Sequence, residues 1–343
     1  MLKPGKLPQE LLERLVLSRL GASDDSVVVG AGVGEDAAIL RVAEGTYLVA
    51  HLDPITAAGR LAGWLAVHVA ANDVAVTGAR PRWLLSLILV PVSDAERLLD
   101  EVTRQMHEAA VEIGASIVGG HTEVVEGDRL LVSVTAMGVA GRPLPTRGAR
   151  PGDKLILTKS AGLEGAAILA WDYGDILSGI VGRDTVEKAK SFYRMVSVVR
   201  EALALADEDL VDAMHDPTEG GVIGGVFEMA YAARLEAVLD LDEVPVAEET
   251  RMITEALGLD PYRLISSGSL LAAVPPGKVR DALKTLEGLG VEARVVGELR
   301  EGEPRVLVRE GGRLREVVER LPVDEIYRVE EVIARLRGEG QPA

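Results

Sequence analysis

The sequence predicts an α+β chain in two units, an N-terminal mixed-sheet unit over residues 1–148 and a C-terminal α/β unit over residues 149–343. Three observations lead there. The 343 residues, 48% of them apolar, suffice for two cores of ordinary size. Short β-branched runs alternate with longer segments of helical period. The stretch from Arg142 to Asp153, dense in proline and glycine, reads as the boundary between the units.

Leu11, Leu12, Leu15, Val16 and Leu20 recur at helical spacing and predict a helix over 8–20. Residues 27–29, 37–42 and 47–52 are apolar, β-branched runs between turns, hence strands. Residues 58–76 form a long helical pattern of small residues. A strand is expected over 83–90, then an amphipathic helix over 94–113 opened by the cap pair Ser93-Asp94. A short strand at 116–118 and another over 130–140 complete the first unit. The second begins with a strand over 154–159. Helices are expected at 163–171, 185–205, 221–233, 248–257 and 277–289, and strands at 236–241, 269–274 and 293–296. A short hairpin (305–308, 313–317) and a last helix near 324–336 follow. The sequence has no repeat of fixed period and no low-complexity tract.

Composition removes several classes of function. There is no cysteine, so disulfides, thiolate metal sites and a cysteine nucleophile are excluded. The formal charge of −17 argues against nucleic acid, whose phosphates need clustered Lys and Arg. No apolar run is long and uncharged enough to span a bilayer, and the N-terminus lacks a signal-peptide layout. The expectation is a cytoplasmic protein with no membrane or nucleic-acid partner. One Asn, three Gln and no Cys beside many Glu and Arg fit a thermophilic source.

The chemistry-bearing residues lie in five short segments. Glu35 and Asp36 follow the glycine-rich stretch Gly30-Ala31-Gly32-Val33-Gly34. That stretch is either a flexible turn or a lid whose backbone, at Gly32 and Gly34, approaches phosphates closely. It runs into a strand rather than a helix, so it is no dinucleotide fingerprint. Strand alternation lets only one of the two acids face a site, and Asp36, farther from the loop, is the candidate. Asp53 ends a strand and is held extended by Pro54. Asn72 and Asp73 interrupt an apolar helix, so each must be hydrogen-bonded or metal-paired, either to cap a neighbouring loop or to bind a ligand. His68, one turn earlier, reads as a core histidine. Gly119 and Gly120 allow a tight turn before His121, whose ring suits a phosphate or substrate better than Mg²⁺. Finally, His215-Asp216-Pro217-Thr218-Glu219-Gly220-Gly221 precedes a helix, as its cap or as an anion pocket. Singly each acid is a common turn residue. Together, acids spread over several loops are what a Mg²⁺–triphosphate requires. A Walker A sequence, a His-Glu-x-x-His motif and a Gly-x-Ser-x-Gly elbow are all absent.

In this order, these segments resemble the superfamily of aminoimidazole ribonucleotide (AIR) synthase (PurM), selenophosphate synthetase, thiamine-monophosphate kinase and the hydrogenase-maturation carbamoyl dehydratase HypE, most of all the HypE branch. The likeness runs from about residue 5 to 300. It rests on Gly5 to Pro8, Gly32 to Ala38, Asn72 to Pro81, Arg150 to Thr158, His215 to Gly221, and Ser267 to Leu271 with Val274-Pro275-Pro276.

The resemblance implies a homodimer whose N-terminal sheets pair in a barrel-like interface. It implies ATP and Mg²⁺ in the cleft beneath the glycine-rich segment. Asp36, Asp53 and Asp73 fall where the family places metal ligands, and Asp216 in the corresponding segment of the second unit. Asn72 would orient Asp73 or touch a phosphate. Three features depart from the HypE pattern: no cysteine ends the chain, so HypE chemistry on its own tail is excluded; His121 stands where HypE has aspartate; and the N-terminal Gly-Ser-Gly-Gly run is reduced to Gly5-Lys6.

The expected activity is ATP- and Mg²⁺-dependent transfer of the γ-phosphate to an oxygen of a small substrate or of an amide or carbamoyl group. His121, His215 and Asp216 are the candidate catalytic residues. Gly32, Gly34, Asp36, Asn72, Asp73, Gly119 and Gly120 are the nucleotide contacts. Lys159 is either a phosphate or acceptor contact or a surface lysine. The alternatives are a non-catalytic nucleotide-binding scaffold serving a protein partner, and a small-molecule kinase resembling thiamine-monophosphate kinase.

Overall fold

The computed structural model describes residues 5–317 and 323–337; the sequence's last four residues, 340–343, lie outside them. A short helix α1 (Gln9–Leu12), prolonged by a wider turn to Leu17, precedes strands β1 (Val27–Val29), β2 (Ala38–Ala43) and β3 (Thr46–Ile55). Then follow α2 (Ala62–Val76), β4 (Arg80–Pro91), α3 (Ala95–Ile113), β5 (Ser116–Val125) and β6 (Leu131–Ala140). The second half holds β7 (Lys154–Thr158), α4 (Leu163–Asp172), α5 (Gly174–Val181), α6 (Arg183–Ser191), α7 (Val199–Asp207), β8 (Ala213–His215), α8 (Gly221–Ala233) and β9 (Glu236–Asp240). It ends with α9 (Glu248–Leu257), β10 (Leu271–Val274), α10 (Val279–Gly288), β11 (Ala293–Arg300), β12 (Arg305–Glu310), β13 (Arg313–Glu316) and α11 (Val329–Leu336).

The first six strands form one open sheet, ordered β1-β2-β3-β6-β4-β5, antiparallel except for the β4–β5 pair. The other seven form a second sheet, β13-β12-β9-β11-β7-β10-β8, in which only β9 and β12 run parallel. The expected α/β unit is thus a helix-covered, mostly antiparallel sheet. No sequence signal separated this pairing from a parallel one.

Helix α2 joins the two halves. Every residue from Ala62 to Val76 is buried. A helix apolar all round must be enclosed on all sides, and α2 packs on α3, β3, β6 and α7. One apolar core therefore runs from Ile39, Leu65 and Val134 of the first half to Leu163, Leu169 and Ile253 of the second. The Asn and Asp within α2 are consequently carried to the junction of the halves.

Three local expectations are corrected. The helix expected over 185–205 breaks after Ser191, and α7 restarts at Val199. Side chains take the backbone groups of the interruption: Lys159 Nζ donates to Met195 O at 2.9 Å and Ser197 O at 2.7 Å, and Asn72 Nδ2 donates to Val196 O at 2.8 Å. The Val198 N–H donates to Asn72 Oδ1 at 2.9 Å. With those groups satisfied outside a helix ladder, continuing the helix gains nothing. Asp94 stands at the N-cap position of α3, but its side chain makes no capping bond; its carboxylate accepts from Arg97 Nε at 2.6 Å. Finally, Gly119 and Gly120 do not turn. They lie within the ten-residue β5, paired to Leu85 and Ser86 of β4. A Cβ on Gly120 would collide with the Ser86 carbonyl, so here glycine permits close strand approach.

Candidate metal-binding site

Three carboxylates converge from three segments. Asp36 follows the glycine-rich loop, Asp73 sits on α2, and Asp216 follows β8. Each offers one oxygen, and these oxygens all lie within 4.8 Å of one another. All three residues are buried, Asp216 completely. Among the described residues, neither Asp216 oxygen has a hydrogen-bond partner. Burial, then the neighbouring Asp73 and Asp36, push the Asp216 carboxyl well above the usual range. Asp73 rises as well, through burial and then Asp53 and Asp36. Three buried acids facing one another without a cation are a costly arrangement. An orphaned carboxylate inside an all-oxygen donor set fits a hard divalent cation.

Alternating charges support the cluster. His215 Nδ1 bonds Asp36 Oδ1, and its Nε2 lies 3.2 Å from Glu228 Oε2. Glu228 Oε1 in turn takes Lys6 Nζ at 2.7 Å. Burial opposes the imidazolium, but Asp36 and Glu228 override it and hold His215 well above the usual histidine range. Glu228 goes the other way: despite burial, Lys6 and His215 draw it down to about 2. The other oxygen of Asp36 accepts from Thr146 Oγ1 at 2.9 Å. Glu35 accepts from the Thr146 N–H at 3.1 Å; both acids lie in the loop before β2, so strand alternation is not what separates their roles. Gly34 packs on α8 at φ +80°, and a Cβ there would collide with the Glu228 carbonyl. A larger residue would lift the loop that carries Asp36.

The expected set Asp36, Asp53 and Asp73 is altered in one member. Asp216, expected as a catalytic residue, completes the tight group. On β3, His51 Nε2 lies 3.4 Å from Asp73 Oδ2. Asp53, two residues on and on the same face of the strand, lines a chamber of about 70 Å³ with Glu164, Ser267 and Glu219. Its charge still reaches Asp73 and Asp216. Burial raises the Glu164 carboxyl to about 7, although the Ser267 N–H donates to it at 3.2 Å. The chamber adjoins a cleft of about 1120 Å³, sharing Lys6, Asp53 and Glu219 as lining. A groove of about 440 Å³ on the second sheet, around Val238, Val279 and Val295, includes none of these acids.

Other expected site residues lie elsewhere. Asn72 does not orient Asp73; both ends of its amide are engaged by Val196 and Val198 across the junction. His121 is on β5 with its side chain 68% exposed, 3.4 Å from Glu123. Gly119 and Gly120 are exposed on the same strand, and Gly32 is exposed in the loop before Gly34. Lys159 is no surface residue: beyond its carbonyl partners it pairs with Glu201 at 2.7 Å. Glu228, Glu164 and Lys6 escaped the sequence reading. A signal existed for Glu228, the lone charge between Gly221 and Ala233.

Two family descriptions match the sequence, the N-terminal domain of AIR synthase related proteins over residues 34–140 and the C-terminal domain over 150–309. A carbamoyl dehydratase HypE of Azotobacter vinelandii is 32% identical over 270 residues, covering 76% of this chain and 75% of the relative. A putative hydrogenase expression/formation protein of Methanocaldococcus jannaschii is 28% identical over 306 residues, 85% and 88% of the two chains. A selenide, water dikinase of Myxococcus xanthus is 28% identical over 310 residues, 81% and 86%. Among solved structures, E. coli HypE superposes with a TM-score of 0.70 at 26% identity, over 93% of this chain and 99% of the other. HypE in complex with ATP gives 0.70 at 24%, over 94% and 97%. AaThiL complexed with AMPPCP and TMP gives 0.68 at 17%, over 92% and 100%.

Proposed function

The chain belongs to the AIR synthase related protein family, and from that premise we propose that it binds Mg²⁺–ATP and transfers the γ-phosphate to an oxygen of a small acceptor. A HypE solved in complex with ATP and AaThiL complexed with AMPPCP support the nucleotide; the cation, the acceptor and the roles of individual residues are our reading. One observation carries it: carboxylates from both halves meet at buried Asp36, Asp73 and Asp216, with Asp216 lacking a hydrogen-bond partner among the described residues.

In this reading Asp36, Asp73 and Asp216 hold the cation, which when bound offsets triphosphate charge. His215, bonded to Asp36 Oδ1, keeps that carboxylate aimed at the cation. The Glu228–Lys6 pair fixes His215 from behind. Gly32 and Gly34 bring the loop backbone toward the phosphates. The cleft beside Asp53 admits the acceptor. An amide or carbamoyl oxygen fits relatives named carbamoyl dehydratase, and a small-molecule kinase fits the likeness to AaThiL with TMP. No thiol in this sequence offers an acceptor atom.

We expect titration calorimetry to show binding of a non-hydrolysable ATP analogue that requires Mg²⁺. Asp216→Asn and Asp73→Asn should each abolish it without unfolding the chain. Undiminished binding in both variants would refute the assignment. ADP release with no acceptor found across a broad metabolite set would favour the scaffold reading.

A further inference from the structure

The segment from Asp324 to Leu336 lies beyond both matched regions, yet it grips the turn that follows Asp216. Asp324, only 2% exposed, accepts from the Gly220 N–H at 2.7 Å and from the Ile326 N–H at 2.8 Å. Tyr327 Oη donates to Glu219 Oε1 at 2.6 Å. The other Glu219 oxygen accepts the Lys6 N–H at 3.0 Å. Both oxygens of Glu219 are therefore held, one from the N-terminal side of the chain and one from the C-terminal side. The Tyr327 ring also packs against Gly5, whose built Cβ would stand 3.0 Å from it. Tyr327, Lys6 and Glu219 line the same cleft as Asp53. Burial and the Glu219 carboxylate push the phenol upward, so it remains a donor at neutral pH.

We propose that Tyr327 is a positioning residue for the cation site: its hydroxyl fixes Glu219, and with the Asp324 clamp on Gly220 it holds the 216–220 turn so that Asp216 faces Asp36 and Asp73. Ile326, Tyr327, Val329 and Glu330 of this segment also line the cleft. Tyr327 acts on the cation site through Glu219, to which its hydroxyl donates, while Thr56 also hydrogen-bonds that hydroxyl. The proposal rests on the cation reading above.

The test uses the full chain and Mn²⁺ as the probe, titrated calorimetrically, with Tyr327→Phe, Glu219→Gln and the double variant. Groups bonded directly to a metal ligand typically matter ten- to a hundredfold; Tyr327 acts one step further out, so Tyr327→Phe should weaken Mn²⁺ binding by less, roughly threefold. In the Glu219→Gln background it should add less, since the hydroxyl then donates to a neutral amide oxygen rather than to a charged carboxylate. Hydrogen exchange read by mass spectrometry should quicken in peptides covering 214–224 and stay unchanged in those covering β3 and β6. No Mn²⁺ binding by the unaltered chain sinks the cation reading itself. Wild-type binding with an equal affinity in Tyr327→Phe, additive effects in the double variant, or unchanged exchange over 214–224 overturns the role of Tyr327.

Discussion

At the scale of single residues, burial decides protonation more than sequence context does. His68 is fully buried, and neither ring nitrogen has a hydrogen-bond partner. Glu112 stands 3.7 Å from Nε2, beyond hydrogen-bond reach, and the Trp64 ring lies 4.6 Å away. Burial, with Lys159 nearby, lowers its pKa from 6.5 to about 3. The sign follows from linkage: below pH 6.5 the unfolded chain takes up a proton that the folded chain refuses. Stability from this group is whole above pH 6.5 and falls as pH drops toward 3, by about 1.4 kcal/mol per pH unit. We expect His68→Leu to flatten the acid limb of a denaturation-versus-pH curve between pH 6 and 4; an unaltered slope would show that His68 takes its proton in the folded state. Asp324 shows the opposite case. Burial raises it to about 7, so its contribution is present at low pH and is lost as pH rises from the ordinary carboxylate range through about 7.

At the scale of elements, the break between α6 and α7 shows side chains displacing a helix. Asn72 and Lys159 satisfy the backbone of residues 195–198. Asn72 is buried, so removing its amide strands the Val196 carbonyl and the Val198 N–H. Each unpaired buried group costs about 1–3 kcal/mol, and Asn72→Leu should lower unfolding free energy by about 2–4 kcal/mol in urea titrations. Were Asn72 a phosphate contact instead, the variant would keep its stability and lose nucleotide binding. Helix α2 carries this clip beside Asp73, so one element holds both the junction and an acid of the site.

At the scale of the molecule, β5 is an unprotected edge. Residues 116–124 are exposed along the whole strand, including Ile117, Val118 and Val124. A ten-residue edge with apolar side chains and free backbone groups on one side invites a second copy. On this ground we propose the homodimer through the first sheet, which also places His121 at the boundary between copies. Light scattering after gel filtration should give twice the 36.4 kDa chain mass, and Val118→Lys should halve it. A monomeric wild-type chain at micromolar concentration would refute the pairing.

The sequence by itself determined the elements and the addresses of the acids. Period and turn chemistry are local, so α3, β3, β6 and the acids beside glycine or proline at Asp36, Asp53 and Asp216 were legible. It could not determine which acids meet. Asp36, Asp73 and Asp216 are brought together by the enclosure of α2 and the antiparallel seating of β8 beside β10, both long-range pairings with no local signature. For the same reason Glu164 could not be told from a solvent-facing helix residue, and Asn72 reads from sequence as a partner of Asp73 or of a phosphate. Where a polar side chain points is settled by the packing of surfaces distant in the chain, and only the tertiary structure records that.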